Sequence, residues 1–389
     1  MSAAATPAAA VGSSWFQRFL LPGFAFKAVV IGGGYATGRE LAEFFLPSGP
    51  WGGLAAMLLA MVLWSIICAT TFAFARAIGA FDYRSFFEGL LGRAWILFEV
   101  GYVLLVTLVL AVFGAAAGEI GASIFGWPPL AGTAFLAASI ALFVTFGNAS
   151  VEGLFKYVSF LLYGVYALFM VFALGSFGDE IAARFAIPAP SDGWILGGLT
   201  YTGYNVIGAV VILPVIRHLT SQRDAVTAGL IAGPLAMAPA ILFFVAMIAF
   251  YPGIMGETLP SDFMLRQLDM PLFHLLFQFM IFAALLESGA GSVHAINERV
   301  DAARRSRGHG PLSKRARAGI AGALLVGCMF LADRFGLVTL IASGYRFLSW
   351  VFLAVYVLPL LTVGLVRLMR GRAVIEKQEL QPAVEGNLK

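Results

Sequence analysis

The first long apolar run of this chain is interrupted by the decapeptide Ile31-Gly32-Gly33-Gly34-Tyr35-Ala36-Thr37-Gly38-Arg39-Glu40. The run begins at Leu20, and at about 1.5 Å per helical residue the glycines fall near the middle of a bilayer. Each glycine disfavours a helix by about 1 kcal/mol relative to alanine, so the helix is predicted to unwind here. Unwound backbone at membrane depth is tolerated only against protein or a water-filled cavity. The interruption therefore predicts a site rather than simple close packing.

The composition agrees with a membrane protein. Of the 389 residues, 60% are hydrophobic and only 12% are charged, and the mean hydropathy is +0.89. A soluble domain needs far more polar surface, so soluble enzymes, disordered chains and secreted disulfide scaffolds are excluded. The two cysteines, Cys68 and Cys328, lie inside apolar runs and form no CxxC motif, which indicates neither a metal site nor a redox pair.

The hydropathy pattern predicts an all-α polytopic protein with ten transmembrane helices, because a span needs roughly 20 mostly apolar residues. The runs are continuous, whereas barrel strands would alternate. The ten segments are 20–46, 51–75, 95–118, 128–146, 153–174, 193–216, 224–250, 271–298, 318–333 and 336–367, the last interrupted at Ser343-Gly344-Tyr345. They form one transport domain, 20–367, between a flexible N-terminal tail, 1–19, and a C-terminal tail, 368–389.

Basic residues give the predicted orientation. Most of the 25 lysines and arginines fall in alternate loops and in the tails, and the densest group spans Arg299 to Arg317. Such loops face the cytoplasm, so both termini are expected to be cytoplasmic in a multi-pass protein of the cell (inner, cytoplasmic) membrane. The same basic group is a topology signal rather than a nucleic-acid surface, and no nucleic-acid partner is expected.

Segment 6 carries a weaker version of the first interruption, Leu199-Thr200-Tyr201-Thr202-Gly203-Tyr204-Asn205-Val206-Ile207-Gly208. Division of the ten segments into five plus five pairs segment 6 with segment 1. Because five is odd, the two halves (about 20–174 and 193–367) enter from opposite sides and form an inverted repeat. Interrupted spans at matching positions indicate a secondary transporter that binds its substrate at the midplane.

These motifs, together with the late Gly336-Leu337-Val338-Thr339-Leu340-Ile341-Ala342-Ser343-Gly344-Tyr345, resemble the YkvI-like membrane proteins. That group is placed with the amino-acid permeases of the amino acid-polyamine-organocation superfamily, and the resemblance covers nearly the whole chain. It implies the LeuT-type fold, with segments 1 and 6 unwound around the substrate and segments 3 and 8 beside it. It also implies a sodium site between carbonyl oxygens of Val30, Ile31 or Gly33 and the hydroxyls of Ser288 and Ser292, although the adjacent hydroxyl pair common in such sites is absent.

The candidate substrate site follows from the two breaks. Backbone groups at the breaks would hold the carboxylate and amine of an amino acid, while aromatic and amide side chains shape the rest of the pocket. The alternative for the segment 6 side chains is interhelical hydrogen bonding. The candidate residues are Gly32, Gly33, Gly34, Tyr35, Thr37, Tyr201, Gly203, Tyr204 and Asn205, with Tyr102 and Thr107 as weaker additions.

Charged residues inside a span cost about 2.5 to 3.5 kcal/mol on insertion scales and so indicate function. Arg39 and Glu43 are four apart and can pair on one helix face. Alternatively, Glu40 or Glu43 faces an outer vestibule and attracts a cationic group, while the other carboxylate neutralises Arg39. Arg346 follows the segment 10 interruption and is expected to meet Glu287 or an anionic substrate group, with carboxylate pairing preferred.

Segment 8 offers a route for the coupling ion. Glu287, Gly291 and His294 lie on one stripe of the helix, so Glu287 is a candidate proton carrier with His294 as a relay group. Glu287 beside Ser288 suits either a proton or sodium, and a proton is preferred. The alternative is a buried glutamate bonded to neighbouring hydroxyls.

The function predicted from these observations is secondary active transport of a small organic solute, an amino acid or a related amine or zwitterion, coupled to a proton or sodium gradient. A channel or a non-transporting membrane sensor is the alternative. The four histidines are scattered and no catalytic motif occurs, so an enzyme is not expected. No cofactor and no bound metal other than sodium is predicted. The expected partners are the solute and the lipid bilayer, with a homodimer left open.

Overall fold

A computed structural model describes residues 13–370 apart from 32, 147 and 306, and gives only the backbone of 33, 34, 145, 146, 148–160 and 302. Its described residues form no strand. The helices, in chain order, are α1 (Leu21–Val30), α2 (Gly33–Ala36), α3 (Arg39–Phe44), α4 (Gly49–Ile78), α5 (Tyr83–Leu91), α6 (Trp95–Phe125), α7 (Pro129–Phe146), α8 (Asn148–Ser176), α9 (Gly178–Ala186), α10 (Trp194–Asn205), α11 (Gly208–Val211), α12 (Gln222–Ile248), α13 (Pro260–Gln267), α14 (Pro271–Arg305), α15 (Lys314–Thr339) and α16 (Arg346–Phe352).

The predicted segments correspond to these helices, and the all-α fold class is confirmed. Within the described chain, five helical stretches pass a length and hydropathy test for a membrane span, or six when the bent pair α8 and α9 is included. The other segments fail that test because they are short or broken. The stretch from Lys314 to Arg370 counts once, but its 57 residues can cross a bilayer twice. It turns at Gly336, whose φ of +69° and ψ of 168° separate segment 9 from segment 10.

Segment 10 departs from a regular helix where its interruption was predicted. Leu340–Tyr345 is a π-helical turn, and two further π-helical turns, Leu353–Val357 and Leu360–Gly364, follow α16. At the chain ends, Phe16–Leu20 is already helical and residues 368–370 continue the last helix, so the two predicted tails are shorter than expected there. Residues 1–12 and 371–389 lie outside the described residues.

Both predicted breaks are present. The helical hydrogen-bond ladder of segment 1 stops at Ile31, where ψ is 73°, and a second interruption at Gly38 separates α2 from α3. Gly38 has a φ of +77°, and a Cβ there would lie 2.7 Å from Phe243, so both its backbone and its packing require glycine. Segment 6 is divided into α10 and α11. Thus the two halves of the repeat each begin with a discontinuous helix.

The helices pack as two groups with the breaks between them. In the first group, α4 lies along α12 and α10, and α1 packs on α12. In the second, α6 packs on α7 and α15, and α14 packs on α7 and α8. We call the first group the bundle and the second the scaffold. The short α2 reaches the scaffold by contacting α6 and α14.

Close packing of α4 against α12 depends on a glycine in α12. A Cβ on Gly229 would overlap the backbone of Ala69, and small residues are what bring membrane helices this close. Gly229→Val is therefore expected to destabilise the protein by about 1 to 3 kcal/mol and to lower its melting temperature in detergent. Gly327→Val is the matched control, because a Cβ at Gly327 of α15 meets no atom within 4 Å. Equal melting temperatures for the two variants would contradict the assigned helix contact.

Candidate functional site

A cavity of about 460 Å³ lies where the two discontinuous helices meet the scaffold. Segment 1 contributes the end of α1, Tyr35 of α2 and Glu40 of α3. Segment 6 contributes the residues around the α10 to α11 break. The scaffold contributes α6 and α14. Its polar lining residues are Tyr35, Glu40, Tyr102, Tyr204, Asn205, Glu287, Ser288, Ser292 and Tyr345, and most of the others are aliphatic.

Glu40 is the most enclosed carboxyl group of the cavity, with only 5% of the residue exposed. The hydroxyl of Tyr204 donates a hydrogen bond to its Oε2 at 2.5 Å. The ring of Tyr204 in turn stacks on Tyr345, with ring centroids 4.4 Å apart. No ion pair to Glu40 occurs among the described residues, so this carboxyl group has a hydroxyl neighbour and no cationic one.

Two other polar side chains of the lining are held by hydrogen bonds within the fold. The hydroxyl of Tyr35 lies 3.1 Å from that of Tyr166 on α8, and this pair joins the segment 1 break to the scaffold side. Asn205 donates from Nδ2 to the carbonyl oxygen of Tyr201, one turn earlier, at 3.0 Å. Because these side chains are already oriented, the cavity walls are substantially preformed.

Arg39, next to Glu40 in the chain, belongs to a network of ions and carbonyl groups outside the described cavity lining, which we call the Arg39 network. Arg39 donates from Nη2 to Glu43 at 2.8 Å and from Nη1 to the carbonyl oxygens of Met255 and Glu257, both at 2.9 Å. Arg346 lies 3.7 Å from Glu43. The predicted Arg39 and Glu43 pair therefore forms, and it holds α3 against the loop before α13.

The cavity adjoins a second one of about 270 Å³, and the two share Tyr102, Val211 and Ala295. Arg299 of α14 borders this second cavity. Its guanidinium lies between the rings of Tyr83 and Tyr102, with its carbon 3.9 Å and 3.5 Å from their centroids, and Nη1 is 3.1 Å from Glu99. We call this group the Arg299 clamp.

Beside Glu287 is a small cavity of about 50 Å³ between α1, α8 and α14. It is bordered by Ala28, Ile31, Tyr163 and Ser288, among others. Glu287 is half-buried and has no ion pair in the described chain. The hydroxyl of Ser292 donates to the carbonyl oxygen of Ser288 within the same helix at 2.8 Å, so it is already used by α14.

The remaining predicted residues are distributed as follows. Tyr201 is fully buried and packs against Phe45 and Trp64, outside the cavity lining. Gly203 and Thr37 also lie outside it: a Cβ on Gly203 would meet the Ser349 backbone, and the Thr37 hydroxyl accepts from the backbone amide of Arg39.

Half-buried His294 does not border a described cavity, and Arg346 meets Glu43 rather than Glu287. Val30 lines the main cavity. Gly32 is outside the described residues, and only the backbone of Gly33 and Gly34 is described, within α2.

Sequence reasoning did not assign Tyr345, Tyr166 or Arg299 to the site. Tyr345 follows the quoted Ser343-Gly344 pair, where a Cβ on Gly344 would lie 2.7 Å from Leu108. A glycine within an apolar span is a local sign that another helix approaches closely. Gly344 could therefore have indicated that the adjacent Tyr345 faces the cavity. Tyr166 and Arg299 carry no such local signal.

Comparison with solved structures identifies the architecture. MhsT in complex with L-phenylalanine superposes with a TM-score of 0.60 at 16% identity, covering 92% of this chain and 98% of that one. A Na⁺-coupled sialic acid symporter gives 0.58 at 14% identity, covering 86% and 79%. The manganese transporter of Eremococcus coleocola gives 0.57 at 15% identity, covering 87% and 77%. The chain has the LeuT-type fold.

The LeuT-type fold agrees with the sequence relationship. The uncharacterized membrane protein YkvI of Bacillus subtilis (strain 168) is 24% identical over 301 residues, which are 71% of this chain and 79% of that protein. The predicted resemblance to YkvI-like proteins is confirmed. No family model matches the chain.

Proposed function

We propose that this protein is a secondary active transporter that moves a small organic solute, an amino acid or a related amine, by alternating access. The observation that supports this most directly is the cavity at the two helix breaks. Glu40 in its lining is followed on α3 by the Arg39 network's Glu43, and the cavity adjoins a second cavity through Tyr102, Val211 and Ala295. In this proposal the Arg39 network closes one end of the cavity. A central site with unequal access from its two ends is what alternating access requires.

The charge distribution indicates which end of the cavity faces the cytoplasm. Arg299 borders the second cavity and begins the basic group that ends at Arg317, and basic loops face the cytoplasm of a cell membrane. The Arg39 network would then close the outer side. On this orientation the structure corresponds to an inward-facing state, with both termini cytoplasmic.

Glu287 is the proposed carrier of the coupling ion. An ionised carboxylate without a partner is costly in a low-dielectric site, so either a proton or Na⁺ would lower that cost. The small cavity beside Glu287 and Ser288 has room for one small ion and is bordered by the end of α1, at Ile31. Movement of α1 during alternating access would change this site, which couples ion binding to the solute cavity.

The transport test uses the purified full chain in proteoliposomes. Uptake of labelled amino acids and amines is measured with an inward Na⁺ gradient, an inward proton gradient, or neither. The proposal expects saturable uptake. The internal solute concentration should exceed the external one only when one of the gradients is present. Uptake that never saturates would instead indicate a channel, and no uptake of any compound would contradict transport of this solute class.

The role of Glu287 gives a separate prediction. Glu287→Gln is expected to retain solute exchange but to lose at least tenfold of gradient-driven accumulation, because the amide cannot carry the proton or the negative charge that binds Na⁺. Glu119→Gln is the matched control, since Glu119 is another partly buried glutamate in a scaffold helix that lies outside the cavity lining. Full accumulation by Glu287→Gln would remove Glu287 from the coupling mechanism.

A further inference from the structure

The main cavity has acidic side chains but no basic ones among its described lining residues. Two carboxyl groups, Glu40 and Glu287, line it, and no lysine or arginine is among its described lining residues. The nearest arginine in sequence, Arg39, points its guanidinium at Glu43 and at two backbone carbonyls instead. With Glu287 occupied by the coupling ion, an ionised Glu40 would repel a ligand carboxylate and stabilise a cation.

Aromatic rings surround the more enclosed of the two carboxyl groups. Tyr35, Tyr204 and Tyr345 line the cavity together with Glu40, and Tyr102 lines its α6 side. The Tyr204 and Tyr345 rings are stacked, and Tyr204 also contacts the rings of Phe44 and Tyr201. Tyrosine faces attract cations, by about 0.5 to 2 kcal/mol each. A carboxyl group beside several such rings is the chemistry that recognises an alkylammonium ion.

We infer that the substrate is an organic ammonium ion with an apolar body and no carboxylate, and that Glu40 and the tyrosines beside it bind its ammonium group. This inference rests on the proposed transport function and narrows its substrate class. The ammonium group replaces the missing cationic partner of Glu40, and the aliphatic residues of α6 and α1 contact the apolar body. A zwitterionic amino acid would need the backbone amides of the breaks for its carboxylate, because no lysine or arginine is among the described lining residues.

The test compares three ligands that share one phenyl group and differ in charge. Phenethylammonium is the cation, L-phenylalanine the zwitterion and 3-phenylpropionate the anion, and tetramethylammonium is added as a minimal cation. Binding to the full chain in detergent is measured by calorimetry and by thermal stabilisation. The inference expects phenethylammonium to bind at least tenfold more tightly than phenylalanine, with no binding of the anion. Phenylalanine binding as tightly as phenethylammonium, or no binding of either ammonium ion, would overturn it.

Variants localise the site. Glu40→Gln keeps an acceptor for the Tyr204 hydroxyl and is expected to weaken phenethylammonium binding at least tenfold, while Glu119→Gln leaves it unchanged. If Glu40→Gln does not fold, Tyr345→Leu tests the same site by removing a ring without removing charge, and about a fivefold loss is expected. Unchanged binding in the variant that folds contradicts the assignment.

Transport is then measured separately for the same ligands. An ammonium ion that binds but is never moved would refute the proposed transport function and leave the binding site intact. Saturable, gradient-driven uptake of phenylalanine without uptake of any ammonium ion would support transport and refute the substrate class.

Discussion

Arg39→Gln is expected to open the outer end of the cavity and to abolish net transport. The Arg39 side chain is only 7% exposed and bonds one carboxylate and two backbone carbonyls, so it joins α3 to the loop before α13. Removal of one partner from a buried ion pair typically costs about 3 to 5 kcal/mol. About 1.4 kcal/mol shifts an equilibrium tenfold, so the outward-closed state would lose its advantage.

Cysteine accessibility measures this opening. Asn205→Cys places a thiol in the cavity, and the native Cys68 and Cys328 are buried. With a membrane-impermeant maleimide added outside intact cells, Arg39→Gln is expected to raise the labelling rate of that thiol at least tenfold.

The chain provides a closely matched control for the Arg39 prediction. Arg84 and Glu88 form the same i,i+4 arginine and glutamate pair at 2.9 Å, but their side chains are 53% and 46% exposed. An exposed pair contributes little to stability, so Arg84→Gln is expected to leave labelling and transport unchanged. If both variants label alike, burial of the Arg39 pair does not control access, and the Arg39 network is not a gate.

The features that sequence predicted correctly are local ones. Glycine clusters disfavour helix wherever they lie, so the breaks at Ile31 and Gly38 and within segment 6 were evident from composition and spacing. The Arg39 and Glu43 pair follows in the same way from the helical repeat. The orientation of an interrupted helix about its own axis depends on contacts with other helices, and the neighbouring sequence does not indicate it. Tyr201 and Tyr204 are three residues apart, yet one packs against Trp64 and the other bonds Glu40.

Long-range contacts explain the rest of what the sequence did not indicate. The Tyr204 to Glu40 hydrogen bond joins residues 164 apart, and the Arg299 to Glu99 bond joins residues 200 apart. The sequence around one residue of such a pair does not indicate which distant residue is its partner. The sequence placed Arg299 with the cytoplasmic basic residues, and only helix packing distinguishes it as the one between two tyrosine rings.

The Arg299 clamp is expected to be a large single contribution to stability at the second cavity. Its guanidinium fits between the Tyr83 and Tyr102 rings, whose planes are 10° apart, and it is paired with Glu99. The Arg299 and Glu99 side chains are 15% and 24% exposed. Arg299→Ala would leave Glu99 without its cation and remove the cation–π contacts with Tyr83 and Tyr102. We expect a loss of about 2 to 4 kcal/mol, measured as a lower melting temperature in detergent.

Arg299→Lys separates stacking from charge. Lysine supplies the positive charge but not a planar group that fits between two rings, so it should recover less than half of the lost stability. Arg305→Ala on the same helix is the control. The Arg305 side chain is 61% exposed, and its partner Asp301 keeps Arg317 and the Leu312 amide, so little change is expected. Full recovery by Arg299→Lys would mean that the contribution of Arg299 comes from its charge and not from stacking. Partial recovery would assign the remainder to the two tyrosine rings, which also line the second cavity.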